Sequence, residues 1–64
     1  MKLWIARDKD NYIAVYSTKP ELYYDEYWDG DYGTQCINLN KEMFPEVTFE
    51  NSPQEVELKL VNKL

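Results

Sequence analysis

The chain has 64 residues, a formal net charge of −5 at pH 7, 44% hydrophobic residues and no histidine. This length accommodates one small domain, residues 1–64, and the apolar content is too high for a disordered acidic tail. The missing histidines exclude Ser-His-Asp, Cys-His and zinc–histidine sites, and a single cysteine, Cys36, excludes an internal disulfide.

The N-terminal segments KLWIAR and YIAVYS predict an antiparallel hairpin. Both are rich in β-branched and aromatic residues, and the polar cluster DKDN separates them. Alternation places Leu3 and Ile5 on one face of the first strand and Trp4 and Ala6 on the other. The second strand is also apolar on both faces, so we expect the hairpin to lie at the centre of a sheet.

The middle of the chain allows two interpretations. In one, Thr18, Pro20 and Glu21 form a capping box for a helix that Gly30 closes. In the other, YYDEYW and YGTQCINL are strands joined by a type I′ turn at Asp29 and Gly30. We favour the strands, because tyrosine and tryptophan fit a pleated surface better than a helix interior.

The C-terminal part predicts a second hairpin. LNKEMFPEV suggests one short helical turn that Asn40 caps and Pro45 ends. EVTFEN and EVELKLV then read as two strands around the turn SPQ, and the second strand points Val56, Leu58 and Leu60 inward. The predicted fold is mostly β: a small single-domain antiparallel sheet of four to six short strands, with room for one short helix.

The sequence predicts no enzyme, no cofactor and no metal. Gly30 and Gly33 are the only glycines and do not match a phosphate-binding loop. Asp29 and Asp31 lack the further oxygen ligands that a calcium loop needs, so we interpret them as a solvated turn. Without an activating histidine, we expect Cys36 to be a small buried hydrophobic residue. No apolar run is long enough for a membrane, and we expect a soluble cytoplasmic protein.

Residues 21–32, ELYYDEYWDGDY, carry the whole charge imbalance. They hold five of the twelve acids and none of the seven bases, so the acids and bases elsewhere cancel. Such a surface repels nucleic-acid phosphates and attracts a basic protein, while tyrosine and tryptophan dominate protein-binding hot spots. The alternative is that the rings complete a core short of leucines. The candidate partner-binding residues are Tyr23, Tyr24, Asp25, Glu26, Tyr27, Trp28, Asp29, Asp31 and Tyr32.

Two motifs at the ends of the chain resemble a known group of proteins. KLWIARDKD, the KP pair at 19–20 and FPEVTFENSPQEVELKL are similar to short uncharacterised proteins encoded by phages and prophages of gut bacteria. The resemblance covers half of the chain and leaves the acidic middle unmatched. It implies an origin in a mobile element and a location in the host cytoplasm, and it implies no catalytic residues.

These observations lead to three hypotheses. The first is a phage-type inhibitor, anti-CRISPR-like, that blocks the basic surface of a host nucleic-acid-binding or defence protein. The alternative is a homo-oligomeric structural or accessory protein without catalytic activity, in which the rings form a self-complementary patch. The third, a minimal metal-dependent enzyme, predicts a melting temperature that rises with calcium or magnesium.

Overall fold

A computed structural model describes residues 1–61, which form six short strands and no helix. The strands are β1 (Lys2–Arg7), β2 (Ile13–Tyr16), β3 (Glu21–Tyr23), β4 (Tyr27–Asp29), β5 (Cys36–Leu39) and β6 (Gln54–Glu57). Four strands form an antiparallel sheet in the order β5-β2-β1-β6, and β3 and β4 form a separate two-stranded hairpin. The mostly β prediction is confirmed. Between residues 1 and 61 no helix has the length and apolarity that crossing a membrane requires.

The predicted N-terminal hairpin forms and lies at the centre of the sheet. β1 and β2 pair from Trp4 opposite Tyr16 to Arg7 opposite Ile13. The connecting turn closes through the Asp8 amide, which donates to the Tyr12 carbonyl at 2.7 Å. Both inner strands have a neighbouring strand on each side. Their apolar residues on both faces agree with this central position.

The two faces of the sheet are covered by different parts of the chain. On one side, the aliphatic face, the buried residues Ile5 and Ile13 pack with Val47. The opposite side, the hairpin face, buries the small residues Ala6 and Ala14 beside Tyr16, Trp4 and Trp28. The small side chains let the β3–β4 hairpin pack closely on this face.

The C-terminal hairpin prediction is wrong. β6 pairs with β1, with Val56 opposite Leu3, and residues 47–49 form no strand. Thr48 and Asn51 instead exchange two hydrogen bonds between side chain and main chain, at 2.8 and 3.1 Å. Such local bonds compete with a strand ladder and favour a turn. Val47 is nevertheless buried against Ile5 and Ile13, at the end of residues 41–47, here called the crossing segment.

Two further predictions about the C-terminal part also fail. The Asn40 side chain accepts the Glu42 amide at 2.9 Å, but the chain continues as turns rather than as a helix. Leu58 and Leu60 are 55% and 93% exposed rather than buried. The reason is that β6 pairs with β1 only as far as Glu57. The alternating pattern of the sequence continues beyond the end of the strand, where the leucines have no sheet face to pack on.

Arg7 joins the crossing segment to the sheet. Its side chain is 6% exposed, and its guanidinium donates only to oxygens of the chain's own amide groups. The shortest bond runs from Nε to the Val47 carbonyl, at 2.6 Å. The other main-chain acceptors are the carbonyls of Asn11, Lys41, Met43 and Phe44, at 3.0 to 3.1 Å. The five N–H donors of a guanidinium suit this arrangement, because carbonyls removed from water need another hydrogen-bond donor.

Candidate functional site

The acidic hairpin, residues 21–29, consists of β3, β4 and the turn between them. This stretch forms strands and no helix, as favoured, but YYDEYW is not a single strand and the predicted turn at Asp29 and Gly30 is wrong. The chain reverses at Tyr24 and Asp25, whose φ angles of 53° and 55° have the sign that a type I′ turn requires. The Glu26 amide donates to the Tyr23 carbonyl at 3.0 Å and closes the turn.

The register of the hairpin gives it an inner and an outer face. Leu22 lies opposite Trp28 on the inner face, and Trp28 packs on the hairpin face of the sheet. Tyr23 lies opposite Tyr27 on the outer face, where the two rings stack with centroids 5.7 Å apart and planes at 22°. Because neighbouring residues alternate between faces, burying Trp28 turns the two tyrosines outward.

Two carboxylates lie next to the stacked tyrosines, and no base within residues 1–61 forms a salt bridge with them. Glu21 lies directly opposite Asp29 on the outer face. The ion pairs within residues 1–61 join the N-terminal amine to Glu57 and Lys2 to Glu55, so they leave the acidic hairpin untouched. Like charges directly opposite each other on a sheet are destabilising. A cationic group of another molecule would relieve this repulsion.

The field of these acids converges on Tyr23. The pKa of its phenol is raised, first by desolvation and then by the carboxylates of Glu21, Asp31 and Asp29. The ring is 36% exposed, so a cation can reach both the phenol and the acids around it. The outer face is therefore a negatively charged surface with an aromatic centre.

Hydrogen bonds from the β1–β2 turn and from Tyr16 of β2 fix the hairpin on the sheet. The Trp28 amide donates to Asp8 Oδ1 at 2.8 Å, and the Trp28 carbonyl accepts the Tyr16 hydroxyl at 2.9 Å. The Lys9 amide donates to the Glu26 carbonyl at 2.9 Å. Sequence reasoning missed this role, because it treated the DKDN cluster only as a turn between two strands.

Asp8 gives this attachment a dependence on pH. Its pKa is raised from the ordinary 3.8, mainly by burial; the hydrogen bond from the Trp28 amide opposes this shift, and the charges of Asp10 and Asp29 add smaller increases. A raised pKa means that folding favours the protonated form. The stability that Asp8 contributes is complete below pH 3.8 and is lost as pH rises through the raised value.

We therefore expect Asp8→Asn to raise the melting temperature at pH 7 more than at pH 3. The amide keeps the Oδ1 acceptor for Trp28 and removes the buried charge. Asp8→Ala is the control: it removes the same titration and also leaves the Trp28 amide without its acceptor, so it should show the same trend with pH at a stability about 1 kcal/mol below that of Asp8→Asn. Thermal unfolding by circular dichroism measures all three proteins. An Asp8→Asn effect independent of pH would contradict the assignment.

The loop after the hairpin presents the last two candidate residues. The Thr34 amide donates to the Asp31 carbonyl at 2.9 Å, and Gly33 has a φ of 92° at the third position of this turn. Tyr32 is fully exposed at the tip. Gly30 lets the loop pass close to Thr34, since a Cβ at this position would collide with the Thr34 methyl group.

The nine candidate residues lie on the acidic hairpin and the loop that follows it, and they differ in exposure. Only Trp28 is partly buried in the core; the other candidates are exposed, and Tyr24 is 82% exposed. The alternative in which the rings complete the core therefore applies to Trp28 alone. The exposed candidates are Tyr23, Tyr24, Asp25, Glu26, Tyr27, Asp29, Asp31 and Tyr32.

Cys36 is exposed, and its prediction as a buried hydrophobic residue is wrong. The residue lies in β5 at the edge of the sheet, where only β2 adjoins it. Desolvation and the Asp29 carboxylate raise the pKa of the thiol, which makes it a weak nucleophile at neutral pH. Within the part of the chain that the structure describes, no three metal-binding side chains cluster.

Comparisons of the chain with protein-family models, with curated proteins and with solved structures find no match.

Proposed function

We propose that this chain is a small acidic protein-binding module of phage type. In this proposal it inhibits a host nucleic-acid-binding or defence protein, in the manner of an anti-CRISPR protein, in the cytoplasm of the host bacterium. The observation that carries the proposal is the outer face of the acidic hairpin. Stacked tyrosines lie there next to two carboxylates that face each other, and within residues 1–61 neither carboxylate has a salt-bridge partner.

The chemistry of this face fits arginine and lysine side chains. A guanidinium stacks on a tyrosine ring and donates two hydrogen bonds to one carboxylate, and the outer face offers both groups within one strand pair. Tyrosine also buries a large area while fixing few rotatable bonds. A basic protein therefore gains ring contacts and ion pairs together.

Basic surfaces of this kind are common where a protein binds nucleic acid. Occupying such a surface with carboxylates excludes the phosphates that would otherwise bind there, which is the basis of the inhibition we propose. An interface of standard size buries roughly 800 Å² on each partner, more than two three-residue strands supply. Asp31 and Tyr32, which follow the hairpin, extend the contact surface.

The alternative, a homo-oligomeric structural or accessory protein held together by the tyrosine rings, has less support. A second copy seated on the outer face would bring its own Glu21 and Asp29 against the same uncompensated acids. Repulsion between like charges at a desolvated interface opposes such an association.

Charge reversal at Asp29 and Asp31 tests the proposed function. We expect Asp29→Lys/Asp31→Lys to weaken partner binding by about 10- to 100-fold and to flatten its dependence on salt. The partner is first captured from nuclease-treated bacterial lysate on the wild-type chain and identified by mass spectrometry. Its affinity is then measured between about 0.05 and 0.5 M NaCl, a range in which screening changes strongly.

Glu46→Lys/Glu50→Lys is the matched control, since it changes two exposed acids outside the hairpin by the same charge. This variant should keep most of the affinity. Thermal unfolding checks that both variants are folded, because Asp29 Oδ1 also accepts the Gly30 amide at 2.8 Å. Equal losses in the two variants would show that net charge, and not the hairpin, governs binding.

A further inference from the structure

The outer edge of β5 offers unpaired main-chain groups. β5 ends the four-stranded sheet, and no other segment of residues 1–61 pairs with its free side. The Ser17 amide donates to the Gln35 carbonyl at 2.9 Å, so Ser17 and Gln35 are a hydrogen-bonded pair and every second residue of β5 after Gln35 also bonds to β2. Ile37 and Leu39 therefore bond to β2, and the N–H and C=O groups of Cys36 and Asn38 point outward.

This edge lacks the features that normally keep a strand from pairing with another chain. Exposed edges usually carry charged residues or proline. β6, at the opposite edge, has Glu55 and Glu57, whereas residues 32–40 around β5 contain no charged residue and no proline. Ile37 is 67% exposed beside Val15 on the aliphatic face. The edge is thus uncharged, apolar on one side and open.

We propose that β5 pairs antiparallel with β5 of a second copy of this chain, forming a two-fold symmetric dimer with a continuous eight-stranded sheet. The outward groups of Cys36 and Asn38 set the register. With the two-fold axis at Ile37, Cys36 of each copy faces Asn38 of the other and exchanges hydrogen bonds with it. The two Ile37 side chains then meet at a non-hydrogen-bonded pair, where side chains are closest.

Identical strands suit this edge better than an unrelated peptide does. A chain with a net charge of −5 repels its own copies, yet the uncharged run around β5 lets two copies approach without opposing carboxylates at the contact. Each copy supplies the same outward groups and the same exposed isoleucine, so one contact is complementary to itself. This inference is independent of the proposed function of the hairpin.

The dimer has an unusual dependence on salt. A two-fold axis perpendicular to the joined sheet places both acidic hairpins on the same side, near β5, where Asp29 already influences the Cys36 thiol. The two acidic hairpins repel each other, and added salt screens that repulsion. Dimerisation therefore strengthens with salt, whereas binding of a basic partner to the hairpin weakens.

Sedimentation velocity of the full chain tests the proposal. We expect wild type to pass from monomer to dimer between about 1 and 200 μM, and Ile37→Lys to weaken association by about tenfold or more. Leu60→Lys is the matched control, because it places the same charge on another exposed apolar residue and should leave the dimer intact. A wild-type chain that stays monomeric in high salt overturns the proposal, as does an unchanged dimer in Ile37→Lys.

A cross-link provides an independent measurement of the register. In a Cys36→Ser background, Ile37→Cys should form a disulfide between two chains under mild oxidation. The Cα atoms of a non-hydrogen-bonded antiparallel pair lie about 4.5 Å apart, within the range that a disulfide spans. Leu60→Cys in the same background measures cross-linking by random collision. Equal rates for the two cysteine variants would exclude the proposed pairing.

Discussion

Arg7→Met should lower the free energy of unfolding by about 3–5 kcal/mol, an amount comparable to the whole net stability of a domain of this size. Methionine keeps the apolar stem and removes every donor. The carbonyls of Val47, Lys41, Met43 and Phe44 then lose their hydrogen bonds, and their segment loses its attachment to the sheet. Urea unfolding followed by circular dichroism measures the loss.

Two variants separate the guanidinium from its charge. Arg7→Lys keeps the charge but replaces a planar fork with one ammonium group, so we expect most of the loss to remain. Lys59→Met removes an exposed positive charge and should change stability by less than about 0.5 kcal/mol. If Arg7→Met unfolds at the same urea concentration as wild type, the segment is held by Val47 packing alone.

The sequence predicted the central hairpin because its information is local. Alternation in KLWIAR and YIAVYS, together with a polar turn, describes a pair of neighbouring strands that are apolar on both faces. The pairing of β6 with β1 is different, since Val56 meets Leu3 across most of the chain. Alternation shows which face of a strand is buried, and it does not select the partner strand.

The role of Arg7 could not be predicted for a related reason. In the sequence it adjoins the charged turn DKDN and looks like part of a solvated surface. Its acceptors Lys41, Met43, Phe44 and Val47 lie 34 to 40 residues away, in a segment without periodic signal. Main-chain carbonyls carry no sequence signature, so only the fold reveals a guanidinium that they surround.

The residue content of the candidate site could be predicted from the sequence, but the position of its turn and its strand register could not. The concentration of acids and rings in residues 21–32 is visible without a structure. Asp29 and Gly30 form the stronger local turn signal, yet the chain reverses at Tyr24 and Asp25. The burial of Trp28 on the hairpin face decides the register, and a packing preference of this kind overrides a local turn preference.

Trp28→Ala should detach the acidic hairpin while leaving all its carboxylates in place. Trp28 packs with Ala6, Ala14 and Tyr16 and contacts Phe49 at a centroid distance of 6.3 Å. Truncating this partly buried ring should cost about 2–4 kcal/mol. Hydrogen exchange should show faster exchange of the Lys9 and Trp28 amides, whose acceptors lie across the hairpin attachment.

Trp28→Phe is the matched variant, because it keeps an aromatic ring on the hairpin face. The indole nitrogen is buried and has no hydrogen-bond partner within the described part of the chain, so phenylalanine removes an unsatisfied donor and compensates for the smaller ring. We expect near wild-type stability and partner affinity from Trp28→Phe, and an affinity loss of about tenfold from Trp28→Ala. Full affinity in Trp28→Ala would mean that binding depends on the negative charge of the acids alone. The position of the stacked tyrosines on the attached hairpin would then be irrelevant to binding.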